Sequence, residues 1–219
     1  MAVFRLEEGK VYFPKPELAD DDGLLAVGGD LSVERLVLAY SNGIFPWYNP
    51  DQPILWWCPK ERFIIRPEKI HISKSMKKFM RQHKVEIKLN RDFADTIHRC
   101  RTKREFTVGT WINDDMEAAY CELNRYGLAY SVEAFVDDEL AGGLYGVCIG
   151  RCFFGESMFS EKGNGSKAAL ILLAQLLEEN SFVMIDCQFH TDHLESMGGE
   201  RISWEKYLEM LDTGLNESL

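Results

Sequence analysis

Three strand candidates that follow one another without a long connection constrain the fold of this chain most. They span residues 129–136, 140–149 and 151–159, and the turns between them are predicted at Asp137-Asp138 and Gly150-Arg151. Short turns join neighbouring antiparallel strands, whereas parallel strands need a long crossover. The sequence therefore predicts an antiparallel sheet at the centre of this half of the molecule.

The elements around these strands also have clear patterns. Val85, Ile87 and Leu89 alternate with charged residues, which predicts a strand. A helix is predicted over 91–101, and Asn113 can cap a further helix that Gly127 ends. The chain continues with a strongly apolar helix over 166–180, a buried strand over 182–188, and helices over 191–197 and 204–211. The resulting order is β-α-α-β-β-β-α-β-α.

The first eighty residues lack this regularity and are rich in Gly, Pro and Trp. They contain two helix candidates, over 32–40 and 73–83, with Ser32 as the N-cap of the first. We therefore expect an α+β protein with a small irregular N-terminal domain over 1–83 and a second domain over 84–219. The element order of the second domain resembles that of the GCN5-related N-acetyltransferases, whose sheet is mixed and mainly antiparallel.

The charges are distributed unevenly along the chain. The net charge is −10, yet residues 60–104 hold 15 Lys and Arg against 5 Asp and Glu. A basic segment in an acidic protein predicts one face that binds phosphate. An ordinary solvated helix explains the same charges equally well. The candidates for contact with a nucleic-acid backbone are Lys74, Lys77, Lys78, Arg81 and Lys84.

The cysteine pattern argues against a metal site or a disulfide framework. The six cysteines form no Cys-x-x-Cys pair and have no regular spacing. We expect them to be reduced, and we expect neither a metal nor a cofactor. No run approaches the roughly 20 apolar residues of a membrane helix, and the N-terminal residues do not have the pattern of a signal peptide. These features predict a cytosolic protein without a membrane partner.

Two acidic residues stand in otherwise apolar strand candidates. Glu156 lies in Gly-Glu-Ser-Met-Phe, and Asp186 lies in Ile-Asp-Cys-Gln, which ends at Gln188. A buried carboxylate is costly without a partner, so these residues are candidates for a site in the crevice of an acyltransferase. Structural carboxylates that bond to a loop are the alternative. A Cys/His hydrolase would instead use Cys187 with His190 or His193, but side-chain alternation places Cys187 opposite Asp186 and towards the core.

Aromatic clusters and a glycine turn are further candidates for ligand contact. Trp47, Trp111 and Trp56-Trp57 either close a small core or stack on the bases of a single-stranded 3′ end. Gly163-x-Gly165 precedes the helix over 166–180, where a glycine turn can bind an anion. In acetyltransferases this loop reads Gln/Arg-x-x-Gly-x-Gly, and Ser160 stands here at its first position. A turn without a ligand is the alternative.

Several strings together resemble the leucyl/phenylalanyl-tRNA–protein transferase family over almost the whole chain. They are FPKPELADDDGLLAVGGDLS, NGIFPWY, PILWWCP, EFTVGTWI, LAGGLYGVCIG, FFGESMF and MIDCQ followed by TDHLESMG. Their order and separations are those of the family. The family's small N-terminal domain on an acetyltransferase-like domain agrees with the division predicted above. The resemblance implies transfer of Leu or Phe, with Met as a further candidate, from aminoacyl-tRNA to proteins that begin with Arg or Lys, which marks them for degradation.

The resemblance also implies roles for particular residues. Trp47 and Trp111 would stack around the terminal adenosine, with Tyr40 and Tyr120 nearby. Leu144, Met158, Leu173 and Ile185 would form the pocket for the amino-acid side chain, and Glu156, Asp186 and Gln188 the acceptor site. The usual Asn-Ala-Ser-Lys string reads Asn-Gly-Ser-Lys at 164–167, and Leu144 and Leu173 stand where the family varies.

The chemistry requires little more than positioning, because aminoacyl-tRNA is an activated ester. One hypothesis is that Asp186 orients Gln188, whose carbonyl oxygen accepts a hydrogen bond from the attacking amine, while the acids attract the basic acceptor. General-base catalysis by Asp186 is the competing hypothesis. A CoA-dependent N-acyltransferase and a non-catalytic RNA-binding module are the alternative functions. We expect a monomer.

Overall fold

The computed structural model describes residues 3–105 and 110–216, with the side chains of residues 104 and 105 left out. A small sheet contains β1 (Phe4–Leu6), β2 (Leu24–Gly28), β3 (Phe45–Pro46) and β4 (Leu55–Trp57), in the order β1-β2-β4-β3. A large sheet contains β5 (Glu61–Ile65), β6 (Val85–Leu89), β7 (Ala129–Val136), β8 (Glu139–Ile149), β9 (Cys152–Ser160), β10 (Met184–Asp186) and β11 (Glu200–Ser203). The helices are α1 (Val33–Ser41), α2 (Lys74–Gln82), α3 (Phe93–Glu105), α4 (Asp114–Arg125), α5 (Gly165–Glu179), α6 (Asp192–Ser196) and α7 (Trp204–Asn216).

The large sheet has the strand order β11-β5-β10-β9-β8-β7-β6. All neighbours are antiparallel except β9 and β10, which run parallel. The predicted α+β class with a mixed and mainly antiparallel sheet is therefore confirmed. The order of elements predicted from residue 84 onwards is also found, with β11 as an addition that the sequence analysis missed.

Ser32 precedes α1 as predicted, but its side chain forms no capping bond. Other helix starts have such a bond. Ser73 accepts a hydrogen bond from the main-chain nitrogen of Met76 at 3.2 Å, and Asn113 accepts one from that of Met116 at 2.9 Å. These bonds satisfy main-chain donors that the first turn of a helix leaves free. The buried strand predicted over 182–188 is reduced to the three residues of β10.

The two faces of the large sheet pack against different partners because strand side chains alternate. One face, with Val132, Leu144 and Ile185, packs against the apolar face of α5. The opposite face, with Tyr145 and Phe154, joins a core that α1, α4, α7 and the small sheet also enter. The small sheet therefore shares its core with the large one.

The sheets do not divide at the predicted domain boundary between residues 83 and 84. Strand β5 precedes that boundary and yet lies inside the large sheet, between β10 and β11. No local pattern indicates this pairing, because both neighbours of β5 lie more than one hundred residues further along the chain. No helix within residues 3–105 and 110–216 combines the length and apolar character needed to cross a membrane.

Candidate active site

A cavity of about 540 Å³ opens where β9 and β10 part. The two strands pair through Asp186 and Phe154, after which β10 ends while β9 continues to Ser160. The residues that follow the last pair line the cavity from both sides. The wall includes Trp47, Trp111, Leu144, Glu156, Met158, Leu173, Ile185, Cys187, Gln188 and Phe189. This volume lies within the range of about 300–1,000 Å³ that is usual for ligand pockets.

The apolar wall contains all four side chains that were predicted for an amino-acid pocket. Leu144 on β8 lies opposite Met158 on β9, Ile185 comes from β10, and Leu173 comes from α5. Phe153, Leu170 and Leu194 extend the same surface. The wall can therefore hold an aliphatic or aromatic side chain away from water.

The two predicted tryptophans stand on the wall of the same cavity. Trp47 is 42% exposed and Trp111 is half-buried. The ring of Phe189, which the sequence analysis did not single out, lies 5.4 Å from that of Trp47, centroid to centroid. Trp57 supports Trp47 by donating a hydrogen bond from Nε1 to its main-chain oxygen at 2.6 Å. Exposed indole rings on a fixed support offer a surface on which a planar ring can stack.

Glu156 reaches the cavity because β9 has a bulge at this residue. Tyr145 of β8 pairs with Ser157 and Gly146 pairs with Gly155, so Glu156 is the extra residue. A bulge of this kind redirects a side chain from the regular alternation of the strand. Glu156 lies inside β9, as the strand predicted over 151–159 required, and the bulge is the feature that the sequence did not show.

Two buried tyrosines hold the Glu156 carboxylate. The hydroxyl of Tyr40 donates to Oε1 at 2.7 Å, and that of Tyr120 donates to Oε2 at 3.2 Å. The two hydroxyl oxygens also lie within hydrogen-bond distance of each other. Both tyrosines are fully buried and neither lines the cavity. Their hydroxyls bond to Glu156, so the two tyrosines lie behind the cavity wall, and their place near the terminal adenosine stays a prediction.

Burial raises the pKa of Glu156 to about 7. The two tyrosine hydroxyls oppose this shift because they donate to the charged form, and the nearby negative charge of Asp186 adds to it. The positive charge of Arg62 acts in the lowering direction. Glu156 can thus gain or lose a proton near neutral pH.

Asp186 is fully buried in an ion pair with Arg62, which is also fully buried. The Nη2 atom of Arg62 lies 2.7 Å from Oδ2, and its Nε atom lies 3.1 Å from Oδ1. The hydroxyl of Tyr207 donates to Oδ2 at 2.8 Å. Asp186 therefore contributes a paired charge behind the cavity rather than a free carboxylate within it. No sequence pattern singled out Arg62, which lies in the basic stretch, or Tyr207.

Gln188 is the polar residue that connects Asp186 to the cavity. Its main-chain nitrogen donates to Oδ1 of Asp186 at 2.9 Å. In the amide orientation that satisfies both of its polar atoms, Nε2 donates to the main-chain oxygens of Cys187 and Gly155, each at 3.0 Å. The φ angle of Gln188 is +58°, a left-handed conformation that L-residues adopt at a cost. The carboxylate thus fixes an unusual backbone conformation that turns the amide towards the cavity.

The predicted orientation of Cys187 was wrong. Cys187 lines the cavity, while the carboxylate of Asp186 points to Arg62. The alternation on which that prediction relied stops because β10 ends at Asp186 and the backbone turns at Gln188. Burial raises the pKa of the Cys187 thiol, which keeps it protonated. This is unfavourable for the hydrolase alternative, since the thiolate is the nucleophile.

In the glycine turn before α5, several main-chain nitrogens donate hydrogen bonds to other groups of the protein. The nitrogens of Glu161 and Lys162 both donate to the oxygen of Ala141, and that of Ser166 donates to the hydroxyl of Ser160. A Cβ atom at Gly165 would lie 1.8 Å from the oxygen of Ala141, so the turn is pressed against β8. Donors that are already bonded cannot also bind a pyrophosphate. These bonds favour the alternative of a turn without a ligand.

The basic residues predicted to contact a nucleic acid are all exposed. Four of them, Lys74, Lys77, Lys78 and Arg81, lie on α2 and form what we call the α2 basic face. Lys84 differs, because it forms ion pairs with Asp138 at 2.6 Å and Glu86 at 3.6 Å. The apolar side of α2 is turned inward, and Met76 is buried.

One surface group has the composition of a metal site. His190, Asp192 and Glu195 bring one potential ligand atom each to within 4.8 Å of one another. His190 already bonds Glu195 at 2.9 Å, and both acids are exposed. Exposed groups of this kind are common without an ion, so they add nothing to the chemistry of the cavity.

Two family models match the chain. Residues 64–212 match the model described as leucyl/phenylalanyl-tRNA protein transferase, and residues 29–60 match the N-terminal domain of the same enzyme. The chain belongs to the leucyl/phenylalanyl-tRNA protein transferase family. It is 48% identical to a leucyl/phenylalanyl-tRNA–protein transferase of Pseudomonas entomophila, over 97% of this chain and 95% of the relative. It is 50% identical to one of Desulfatibacillum aliphaticivorans, over 96% and 91% respectively.

Solved structures give weaker likenesses. L-PGS from Bacillus licheniformis has a TM-score of 0.43 at 14% identity, covering 78% of this chain and 57% of that one. A ribosomal-protein-alanine N-acetyltransferase from Brucella melitensis biovar Abortus 2308 has a TM-score of 0.33 at 20% identity, covering 45% and 74%. Both scores are below 0.5, which is too low to assign a fold.

The residue ranges that the two leucyl/phenylalanyl-tRNA protein transferase family models match indicate where the domain boundary lies. The N-terminal model ends at residue 60 and the other begins at residue 64. Strand β5, at Glu61–Ile65, is also where the chain enters the large sheet. We therefore propose that the boundary lies near residue 60, in place of the position between 83 and 84 that the sequence pattern suggested.

Proposed function

We propose that this member of the leucyl/phenylalanyl-tRNA protein transferase family moves Leu or Phe from aminoacyl-tRNA to the N-terminal Arg or Lys of an acceptor protein, a mark for degradation. The observation that carries the proposal is one continuous cavity with an apolar wall, two tryptophans, and the polar pair Glu156 and Gln188. These are the parts that an aminoacyl nucleoside and an amine require. Because a single chain supplies all of them, we also propose that the protein acts as a monomer, in the cytosol.

The donor would bind in two parts. Its Leu or Phe side chain would enter the apolar wall formed by Leu144, Met158, Leu173 and Ile185, and its terminal adenosine would stack on Trp47 and Trp111. Stacking on an aromatic side chain is worth about 1–3 kcal/mol per base. An apolar pocket discriminates by only about 1–3 kcal/mol per methylene, so Leu, Phe and also Met should be accepted at different rates.

The α2 basic face would contact the tRNA backbone. Four exposed cations on one helix are suited to phosphate, and such contacts release counterions. This part of the proposal predicts activity that falls as salt rises. Lys84, which is paired with Asp138, should contribute less than the cations of α2.

The acceptor amine would meet Gln188 and Glu156. An α-amine has a pKa of about 7.7–8.0, which leaves a usable neutral fraction near pH 7. With Nε2 of Gln188 bonded to main-chain oxygens, its carbonyl oxygen is the atom suited to accept a hydrogen bond from the amine. Asp186 would hold Gln188 in position through the main-chain nitrogen. The buried ion pair with Arg62 favours this orienting role over general-base catalysis by Asp186.

The main test is the formation of a new peptide bond. The protein is incubated with Leu-tRNA and a peptide that begins with Arg, and mass spectrometry is used to detect a Leu-Arg N-terminus. We expect the same peptide with an acetylated α-amine to remain unmodified. If acetyl-CoA serves as the donor and Leu-tRNA does not, the CoA-dependent acyltransferase replaces the proposal. If tRNA binds and neither donor reacts, the RNA-binding module replaces it.

A second test separates the two roles of Asp186. The variant Asp186→Asn keeps an oxygen that can accept from the nitrogen of Gln188 but cannot act as a base. We expect its single-turnover rate at saturating acceptor to stay within about tenfold of wild type, whereas loss of a general base costs about 10²–10⁴-fold. The exposed Asp192→Asn is the matched control. Asp186→Asn also deprives the buried Arg62 of its charged partner, so thermal melting must first show that the variant is folded at the assay temperature. In the folded variant, a loss above one hundredfold that Asp192→Asn does not show would support the base role.

A further inference from the structure

The carboxylate of Glu156 and the hydroxyls of Tyr40 and Tyr120 form a closed triangle of hydrogen-bond contacts. Tyr40 contacts Oε1 at 2.7 Å, Tyr120 contacts Oε2 at 3.2 Å, and the two hydroxyls contact each other. Each group comes from a different element, namely β9, α1 and α4. We call this set the Glu156 triangle.

The triangle has one more contact than it has protons when Glu156 is ionised. Each tyrosine hydroxyl supplies one proton and an ionised carboxylate supplies none. Two protons can fill only two of the three contacts. If Glu156 takes up a proton on Oε2, this oxygen can donate to Tyr120, Tyr120 to Tyr40, and Tyr40 to Oε1. All three contacts then contain a proton. The Tyr120 hydroxyl turns its own proton towards Tyr40, and no heavy atom needs to move.

The surroundings keep the exchangeable proton on Glu156. Burial, together with the charge of Glu156, raises the pKa of Tyr40 and of Tyr120 well above the usual value, so both tyrosines stay protonated. The other charged groups that act on Glu156 are Asp186 from β10 and Arg62 from β5, and their effects on its pKa are opposite in sign. Glu156 is the member of the triangle that lines the cavity.

We propose that the Glu156 triangle is the proton carrier of the transfer reaction, with Glu156 as a catalytic residue and with Tyr40 and Tyr120 as positioning residues. The neutral amine of the acceptor attacks the ester carbonyl carbon, so a carbon–nitrogen bond forms. The proton that the nitrogen loses passes to Glu156. As the bond between that carbon and the ribose oxygen breaks, the same proton passes from Glu156 to the departing oxygen. The products are an amide and a free ribose hydroxyl, and the carboxylate is restored.

This inference rests on the proposed transferase function and assigns the proton transfer within it. It also explains why the other carboxylate behind the cavity need not act as a base. Asp186 is closed off by Arg62 and Tyr207, whereas Glu156 has access to the cavity and a place for a proton. A group that titrates near pH 7 can both accept and return a proton at a useful rate.

The test is the pH dependence of single-turnover transfer from Leu-tRNA to a peptide that begins with Arg, with both substrates saturating. The reaction needs a neutral amine and an ionised Glu156, and both groups gain a proton as the pH falls. Below about pH 6.5 we therefore expect the wild-type rate to fall by almost two log units for each pH unit, a slope approaching 2. For Glu156→Gln we expect a slope approaching 1 and a rate at pH 8 that is lower by about one hundredfold or more.

Variants of the two tyrosines provide a second measurement, the midpoint of the pH–rate profile. This midpoint would not change if the tyrosines were only structural. Tyr120→Phe removes a donor that stabilises the carboxylate. The lower of the two midpoints in the pH–rate profile, which belongs to Glu156, should therefore rise by about one pH unit. Tyr40→Phe should act in the same direction. Tyr48→Phe is the matched control, since Tyr48 is buried near these residues but its hydroxyl lies outside the triangle. Thermal melting of each variant checks that it is folded.

The outcomes separate this inference from the function on which it rests. If wild type forms no Leu-Arg product, the transferase function itself fails. If wild type forms the product and Glu156→Gln keeps a slope of 2 at a near-normal saturated rate, the proton-carrier role is overturned. A rise in KM for the peptide with no change in slope would leave Glu156 only as a binding group for the acceptor.

Discussion

Replacing Arg62 by Met tests whether a buried charge pair behind the cavity holds this part of the fold together. Arg62 donates to Asp186 through Nε and Nη2, and Nη1 donates to the main-chain oxygen of Gly43 at 2.9 Å. Met keeps most of the volume and removes every one of these donors. Asp186 would then be a buried carboxylate whose remaining side-chain donor is the hydroxyl of Tyr207.

The stability that Arg62→Met should lose follows from the complete burial of Arg62 and Asp186. Removing one member of a buried ion pair leaves an uncompensated charge and costs about 3–5 kcal/mol. The free energy of unfolding of a typical domain is only about 5–15 kcal/mol. For a chain of this size, 1 kcal/mol corresponds to about 2–4 °C in the melting temperature, so Arg62→Met should melt roughly 10 °C below wild type.

The assay is equilibrium unfolding in urea, followed by circular dichroism and extrapolated to water. Arg201→Met is the matched control, because Arg201 on β11 forms an exposed pair with Glu61 on β5 and should cost at most about 1 kcal/mol. The double variant Arg62→Met/Asp186→Asn leaves neither charge unpaired. Its free energy of unfolding should therefore fall by less than the sum of the decreases in the two single variants. Strictly additive losses, or a loss below about 1 kcal/mol in Arg62→Met, would refute the reasoning.

Three further predictions concern the substrates. Trp47→Ala should raise the KM for aminoacyl-tRNA by about five- to one hundredfold, because one stacking surface is worth about 1–3 kcal/mol; an unchanged KM in steady-state assays would contradict this. Leu144→Phe should lower kcat/KM for Phe-tRNA relative to Leu-tRNA by about tenfold, since the larger ring fills the apolar wall; competition between the two donors measures it. Replacing Lys77 and Lys78 by Ala should reduce the slope of log KM against log salt by about 1–2, while Lys206→Ala on α7 leaves it unchanged.

Local sequence patterns predicted the elements from residue 84 onwards because each is specified by its own periodicity and caps. Asn113 caps α4, and residues 129–136 form β7, both as predicted. The cavity wall was predicted differently, through the family resemblance that selected Trp47 and Leu144. No local pattern connects these two residues, which lie far apart in the chain.

The features that the sequence analysis missed depend on long-range pairing. Strand β5 is short, and its neighbours in the sheet are β10 and β11. Its Arg62 looked like one more cation of a basic stretch, because only the folded sheet brings Asp186 to it. Cys187 was misjudged for a related reason, since alternation cannot be extended past the end of a strand. The bulge that directs Glu156 into the cavity becomes visible only when β8 and β9 are paired.

The place of β5 in the large sheet has a consequence for how the protein is made. On the ribosome, Glu61–Ile65 emerges well before Met184–Asp186 and Glu200–Ser203. Their pairing must close a loop of more than one hundred residues, which slows folding. The Arg62–Asp186 contact, and with it the conformation of Gln188, should therefore form late. A nascent chain should acquire a working centre only after Glu200–Ser203 has left the ribosome.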